Sequence, residues 1–273
     1  MKLVKSIMTK NPCYSKGRKM DNGVQGLMLH SVGCSQPKAL AFINNWNNSS
    51  YDRACVHGFI DANNGTIYQT LPWNWRGWHA GGSANNTHIG VEICEPDCIK
   101  YTGGSTFTCS DIPKAKKMVK RTYEVAVELF AMLCKQFSLD PLKDGVIISH
   151  AEGHKRGVAS NHGDPEYLWS QLKTGYTMDT FRKDVSAKLS GGVVNPKPTG
   201  TPNKEDTKMP NKCPYSVTVN IADLCIRTGP GTNYVWTGRY TGVGIFTIVE
   251  EKNGWGKLKS GAGWISLAYC TEV

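Results

Sequence analysis

A chain of 273 residues, 40% hydrophobic and 10% aromatic, has material for one sizeable core and a second, smaller one. Its formal charge of +10 is spread along the chain: residues 1–189 carry 23 basic against 16 acidic side chains, and residues 190–273 carry 9 against 6. Such a field favours an anionic polymer. Without a dense Lys/Arg block interleaved with aromatics, nucleic acid is excluded as the leading partner, and no run reaches the roughly 18 apolar residues of a membrane span.

Lys2, Lys5 and Lys10 interrupt the apolar character of the N-terminus. It therefore lacks the apolar stretch of a secretory signal peptide, and the chain is expected to be made and first kept in a cytoplasm. In that reducing setting the ten cysteines read as small buried apolar residues rather than a disulfide framework. Cys94, Cys98 and Cys109 make a weak structural zinc candidate without C-x2-C spacing, and Cys134 sits in a helical apolar stripe.

Taken in order, Gly26 to His30 reads as a strand handing a histidine to the turn Ser31-Val32-Gly33. Ser35 as cap and Pro37 in the first turn begin a helix with Leu40, Phe42, Ile43 and Trp46 on one face, ended by Asn47 to Ser50. Val56 to Asp61 and Gly65 to Gln69 flank Ala62-Asn63-Asn64 as a hairpin. Trp73, Trp75 and Trp78 then stand beside glycines, either as an exposed ligand platform or as the cover of a small core. In the strand Thr87 to Cys94, period-two counting puts Gly90, Glu92 and Cys94 on one face and Ile89, Val91 and Ile93 on the other. Glu92 is either facing solvent or doing chemistry.

The longest helix is expected over Ile112 to Phe137, capped by Ser110 or Asp111, with Pro113 in its first turn and Asp140-Pro141 as its stop. A strand over Gly145 to Ser149 delivers His150, His154, His162 and Asp164 onto the loop that follows. Glu166 to Leu172 and Met178 to Leu189 read as helices. Residues 190–212 are rich in Gly, Pro, Thr and Lys without periodicity and read as a flexible linker. Beyond it, short strands over Ser216 to Val219, Leu224 to Arg227, Val235 to Gly238, Ile245 to Val249, Trp255 to Leu258 and Gly263 to Ser266 predict a small all-β barrel.

All seven histidines fall before residue 163. His30, His150 and Asp164 offer two nitrogens and one oxygen, the open ligand set of a catalytic zinc site. The 120 residues between His30 and His150 carry no local motif, so on spacing alone the site stands as a candidate.

The ordered set Leu29-His30-Ser31, Val56 to Asp61, Ile89 to Cys94, Ser149 to Gly153 and Ser160 to Pro165 resembles the zinc-dependent N-acetylmuramoyl-L-alanine amidases of the amidase type 2 family, whose fold peptidoglycan recognition proteins share. The resemblance spans roughly residues 20–185. It implies an α/β fold with a mixed central β-sheet flanked by helices, zinc held by His30, His150 and Asp164, Glu92 as acid/base, and His162 where many relatives place a lysine. A histidine is cationic only where its surroundings favour it, so activity is expected to fall as pH rises. Many relatives carry a tyrosine where Val56 and His57 fall here, so His57 either orients substrate or packs under the site. His57, Trp78 and His79 are the expected substrate contacts, and His154 is expected at the surface.

Leu224 to Gly231, Gly254 to Lys257 and Gly263 to Ile265 resemble a bacterial SH3 domain over residues 213–273, a wall-binding module with Trp236 and Tyr240 on its ligand surface. The resemblance thus implies a catalytic domain at 1–189, a linker at 190–212 and a wall-binding domain at 213–273. An enzyme of this make-up without a signal peptide resembles a phage endolysin, held in the host cytoplasm until lysis and then acting on Gram-positive peptidoglycan, as a monomer. The other readings are a bacterial autolysin and a non-catalytic recognition protein.

Overall fold

The structure, a computed structural model, describes residues 1–191, 213–222, 224–231, 234–252 and 254–272. The chain forms two compact units, Met1–Gly200 and Thr201–Val273. Apart from Ser190 and Gly191, the expected linker lies outside the described residues.

The first unit is built on strands β1 (Lys2–Lys5), β2 (Gly26–Ser31), β3 (Gly58–Ile60), β4 (Thr66–Gln69) and β5 (His88–Ile93), together with β8 (Ile147–Ser149). The order across the sheet is β1-β4-β3-β5-β2-β8. Only the expected hairpin β3–β4 pairs antiparallel, so the sheet is mixed. A separate hairpin, β6 (Ile99–Gly103) with β7 (Thr106–Cys109), precedes the long helix. The helices are α1 (Pro12–Ser15), α2 (Ala39–Trp46), α3 (Ile112–Phe137), α4 (His150–Lys155), α5 (Glu166–Gln171) and α6 (Met178–Leu189).

Alternation along β2 and β5 sorts the two faces of the sheet. Leu27, Leu29, Ile89, Val91 and Ile93 join the core that α3 closes with Val119, Tyr123, Ala126 and Phe130. Each fully buried Leu, Ile or Phe there contributes about 1.5–3 kcal/mol of transfer free energy. The opposite face carries His30, Gly90 and Glu92, so the residues with chemistry stand apart from the main core.

α3 has the expected bounds. The Asp111 carboxylate accepts the Lys114 N–H at 2.9 Å, and Pro113 occupies the first turn. It ends before Asp140-Pro141, because Ser138 adopts the left-handed conformation with φ of 54°. α2 departs from expectation at its start: Ser35 does not cap it. The Asp61 carboxylate reaches across from the β3–β4 turn to accept the Ala39 N–H at 3.0 Å. Leu40, placed on the apolar face by spacing, is 45% exposed, while Ala39 and Ile43 are buried.

The segment after β8 departs from expectation in part: His150–Lys155 is helix, carrying His150 and His154, whereas His162 and Asp164 lie on the expected loop. Ser149 Oγ accepts the Glu152 N–H at 3.0 Å and the Glu152 carboxylate accepts the Ser149 N–H at 3.2 Å, a capping box that starts α4 at His150.

The second unit is all β. Strands β9 (Tyr215–Val219), β10 (Cys225–Arg227), β11 (Trp236–Tyr240), β12 (Gly244–Lys252), β13 (Trp255–Leu258), β14 (Trp264–Ser266) and β15 (Cys270–Glu272) form an antiparallel sheet in the order β11-β10-β14-β13-β12-β9-β15. Val217, Val219, Ile226, Ile248, Leu258 and Ile265 make its core. The six expected strands are present, β13 with the expected bounds and the other five with shifted ends, and β15 adds a seventh.

Candidate metal centre and cleft

Three parallel neighbours set the site. In the register of β2 with β5, His30 stands beside Glu92; in that of β2 with β8, Leu29 stands beside Ser149. His30, Glu92 and His150 therefore meet at the carboxyl ends of adjacent strands, where open α/β sheets hold ligands. The capping box fixes the turn that delivers His150. Asp164 is fastened from two sides, since its carboxylate accepts the Ser31 N–H and its carbonyl the Ala151 N–H, each at 3.3 Å.

His30, His150 and Asp164 are buried, and one ligand atom from each lies within 4.8 Å of the others. His30 Nδ1 and His150 Nδ1 are 3.0 Å apart, with the Asp164 oxygens at 3.4 and 3.8 Å from them. Outer partners decide which ring nitrogens carry hydrogen. His79 Nε2–H donates to the His88 carbonyl at 3.0 Å, so its Nδ1 accepts from His30 Nε2–H at 3.0 Å. Ser160 Oγ–H donates to the Ala80 carbonyl at 3.2 Å, so Ser160 Oγ accepts from His150 Nε2–H at 3.1 Å. Both Nδ1 lone pairs then face each other across the Asp164 carboxylate. That is a cation site in its chemistry, and two imidazoles with one carboxylate fit zinc.

The field agrees. Burial opposes a charge on His30, but its hydrogen bond to Asp164 and the charges of Glu92 and Asp164 outweigh burial and raise its pKa. Asp164 is held below the usual carboxylate value, because His30 and His150 outweigh the opposing effect of burial. His150 is pushed down to about 4, by burial first and then by the His30 charge. A proton on one of these rings is favoured and a proton on both is not.

Around the cluster lies a cleft of about 720 Å³ lined by Glu92, Tyr101, Asn161, His162 and Tyr167, among others. Glu92 Oε2 is shielded from solvent and has no hydrogen-bond partner among the described residues. Burial pushes this carboxyl up to about 8; His30 opposes that shift, while Asp164 and Glu95 reinforce it. A carboxyl so placed holds or gives up a proton near neutral pH. His162 is exposed, and its Nδ1 lies 3.1 Å from Ser160 Oγ.

Of the expected substrate contacts in this unit, only Trp78 is open, at 49% exposure. The Trp-rich loop divides by position: Trp73 is core, Trp75 stacks on Tyr14 at 5.0 Å, and Trp78 faces the solvent. His57 is fully buried. Its Nε2–H donates to the Trp75 carbonyl at 2.7 Å and its Nδ1 accepts the Gly90 N–H at 3.0 Å, leaving no nitrogen for a ligand. Of the two roles left open for His57, packing beneath the site matches this geometry. His79 lines the cleft with both its nitrogens engaged, one by His30 and one by the His88 carbonyl. His154 is exposed on α4. Cys94, Cys98 and Cys109 form no ligand cluster among the described residues, and Cys134 is buried.

Three features lay beyond sequence reasoning. Ser160 orients His150; His79 orients His30; and the buried Glu95 accepts from Tyr101 and Tyr167 hydroxyls at 2.7 and 2.8 Å, bracing one wall of the cleft. The signal for Glu95 was a carboxylate directly following the Glu92 strand. In the second unit Trp236 and Tyr240 are 44% and 51% exposed, with ring centroids 5.3 Å apart on β11.

Gly90 makes the His79 contact possible, since a Cβ there would stand 2.4 Å from the His79 ring. Replacing His79 by phenylalanine keeps the ring and removes the acceptor for His30 Nε2–H. Zinc affinity, read by competition with a chelator, is expected to fall roughly 10- to 100-fold; parent-like affinity would remove His79 from this role.

His57 carries a pH consequence. Burial holds its pKa down to about 4, against 6.5 for a free imidazole. As pH falls below 6.5 the unfolded chain takes up this proton and the folded chain does not, so stability is full above 6.5 and is lost progressively toward pH 4. The expected loss from this residue is about 3 kcal/mol across that window. Urea unfolding of metal-free protein at pH 7 and 5, with His57→Gln as comparison, measures it. An equally steep pH dependence in both proteins would refute the assignment.

Comparison with known proteins adds independent findings. A family model described as N-acetylmuramoyl-L-alanine amidase matches residues 20–167. N-acetylmuramoyl-L-alanine amidase XlyA of Bacillus subtilis (strain 168) is 62% identical over 32 residues, which is 11% of this chain and 11% of that protein. The chain thus matches about one tenth of the length of that curated relative. Among solved structures, Staphylococcus aureus hydrolase AmiA in complex with its ligand superposes with a TM-score of 0.55 at 18% identity, covering 71% of this chain and 88% of AmiA. That likeness is one of fold. A mutant endolysin from Bacillus subtilis gives a TM-score of 0.45 at 21% identity, covering 68% of this chain and 99% of that one.

Proposed function

The chain belongs to the N-acetylmuramoyl-L-alanine amidase family, and from that premise we propose that it is a zinc-dependent hydrolase of peptidoglycan. The bond cut is the amide between N-acetylmuramic acid and the L-alanine of the stem peptide. One observation carries the reading: two imidazole lone pairs and a carboxylate converge beside Glu92, whose shielded Oε2 has no partner among the described residues, in an open cleft.

His30, His150 and Asp164 would hold the metal, whose chemistry when bound is to polarise the scissile carbonyl and acidify water. Glu92 takes the proton of the attacking water on its unpaired oxygen and returns it to the departing amine. His162 stands at the mouth of the cleft and, when protonated, donates to the oxyanion. Such a donor is typically worth about 3 kcal/mol. His79 and Ser160 act through the ligands by holding their ring orientations.

The second unit is read as an SH3-like wall-binding module, with the Trp236–Tyr240 pair as its exposed contact. Tethering would keep the cutter near its polymer by raising effective concentration. Pairing a wall-cutting unit with a wall-binding one supports a role as an endolysin on Gram-positive cell walls.

Digestion of purified peptidoglycan tests the reading. New L-alanine amino termini without new reducing sugar ends are expected. New reducing ends would make it a glycosidase, and wall binding without any cleavage would make it a recognition protein.

A further inference from the structure

The cleft continues past the ligand cluster. From Glu92, His150 and His162 a channel of about 250 Å³ runs beside Arg53, Ala54 and Trp78. Ala54 and Trp78 also line a further hollow of about 200 Å³, whose rim carries Lys16, Arg18 and Arg76. The two spaces lie on either side of Ala54 and Trp78, so the hollow is the next cavity along the surface from the reacting centre.

Charge makes the two sides of the centre unequal. On the opposite side the cleft is lined by Tyr101, Ser105, Asn161 and Tyr167, with no Lys or Arg. On the Trp78 side Lys16, Arg53 and Arg76 have no ion pair with a carboxylate among the described residues, and Asp52 is the only acidic side chain lining the hollow. Arg18 is paired with Asp21.

Arg76 is held ready rather than loose. Its Nε donates to Asn86 Oδ1 at 2.6 Å and its backbone N–H to the Arg18 carbonyl at 2.9 Å. Its Nη groups have no protein acceptor among the described residues, the arrangement that suits a carboxylate. The Trp78 backbone is held by hydrogen bonds in both directions with Cys55, at 2.8 and 2.9 Å, and its exposed side chain lines both spaces.

We propose that this hollow is a subsite for a carboxylate-bearing peptide, and that it sets the direction in which substrate lies: stem peptide over Trp78 toward Arg76, Lys16 and Arg53, sugar toward Tyr101 and Asn161. The assignment rests on the amidase reading for the identity of the peptide. The peptide side of the scissile amide bears free carboxylates, whereas the sugar side offers hydroxyl and acetamido groups, which match the uncharged wall. Carboxylate recognition at a half-open site is screened by salt, so the preference is expected to be moderate.

The test uses the full chain and two soluble muramoyl peptides, one with free carboxylates and one with the same groups as carboxamides. KM for cleavage and Kd on the Glu92→Gln protein are both read. The unaltered chain is expected to favour the carboxylate form about three- to tenfold, less at high salt. Arg76→Gln with Lys16→Gln should bring that ratio close to one, and the exposed single change Arg53→Gln should lower it in part. A ratio unchanged in these variants, or an equal weakening toward both peptides, would overturn the subsite. Binding that keeps the carboxylate preference without any cleavage would instead refute the amidase reading and leave the subsite standing.

Discussion

Replacing Glu92 by glutamine is expected to lower turnover on peptidoglycan roughly 10²- to 10⁴-fold, the range for loss of a positioned general acid/base. Zinc content should match that of the parent. The swap keeps shape and volume, and Glu92 Oε2 has no hydrogen-bond partner among the described residues to lose. Burial already pushes this carboxyl up to about 8, which is the cost of keeping an ionisable group where water is scarce. Glutamine carries no such cost, so the unfolding midpoint should be equal to or above the parent's. Lost turnover with an unchanged or raised midpoint would mark a residue kept for chemistry at the expense of stability. Near-parent turnover would remove Glu92 from the mechanism.

Where the chain states its structure locally, the sequence is readable. α3 and α6 take the expected bounds because local signals agree within one segment: apolar spacing, the Asp111 cap and Pro113 in α3, and the Thr177 capping box with buried Met178, Phe181 and Val185 in α6. β1 carries no such sign: Lys2–Lys5 is a mostly exposed edge strand, and only its pairing with β4 makes it a strand. The β6–β7 hairpin does alternate, with Ile99, Tyr101, Phe107 and Cys109 turned inward between Lys100 and threonines, but its strands of five and four residues are short. α4 was legible through Ser149-x-x-Glu152, a capping box overlooked beside the histidines that follow it.

The candidate site divides in the same way. Its residue types were visible, and the family resemblance named His30, His150, Asp164 and Glu92. Their meeting depends on β2 pairing with both β5 and β8, a register no local pattern encodes. His57 and His79 show the limit most clearly. Both are imidazoles near the cleft, yet hydrogen bonds to Trp75, Gly90, His30 and His88 use all four of their nitrogens. Only side-chain geometry reveals such engagement.

Exhaustive chelation is expected to abolish hydrolysis, and one equivalent of zinc per chain to restore it. The reason lies in the two Nδ1 atoms 3.0 Å apart with their outer nitrogens already committed to His79 and Ser160. A single proton can bond to one of these nitrogens at a time, whereas a metal ion accepts both lone pairs and the Asp164 carboxylate together. Because only the folded chain brings the three ligands together, metal binding should stabilise that state as well as activate it. At free zinc 100-fold above Kd the gain is about 2.7 kcal/mol by mass action, so the unfolding midpoint of the first unit should rise when zinc is added. His30→Ala should lose both responses. A chelated protein that still cuts peptidoglycan at the parent rate would rule out the metal, whereas a midpoint that rises without restored cleavage would place the ion in a structural role.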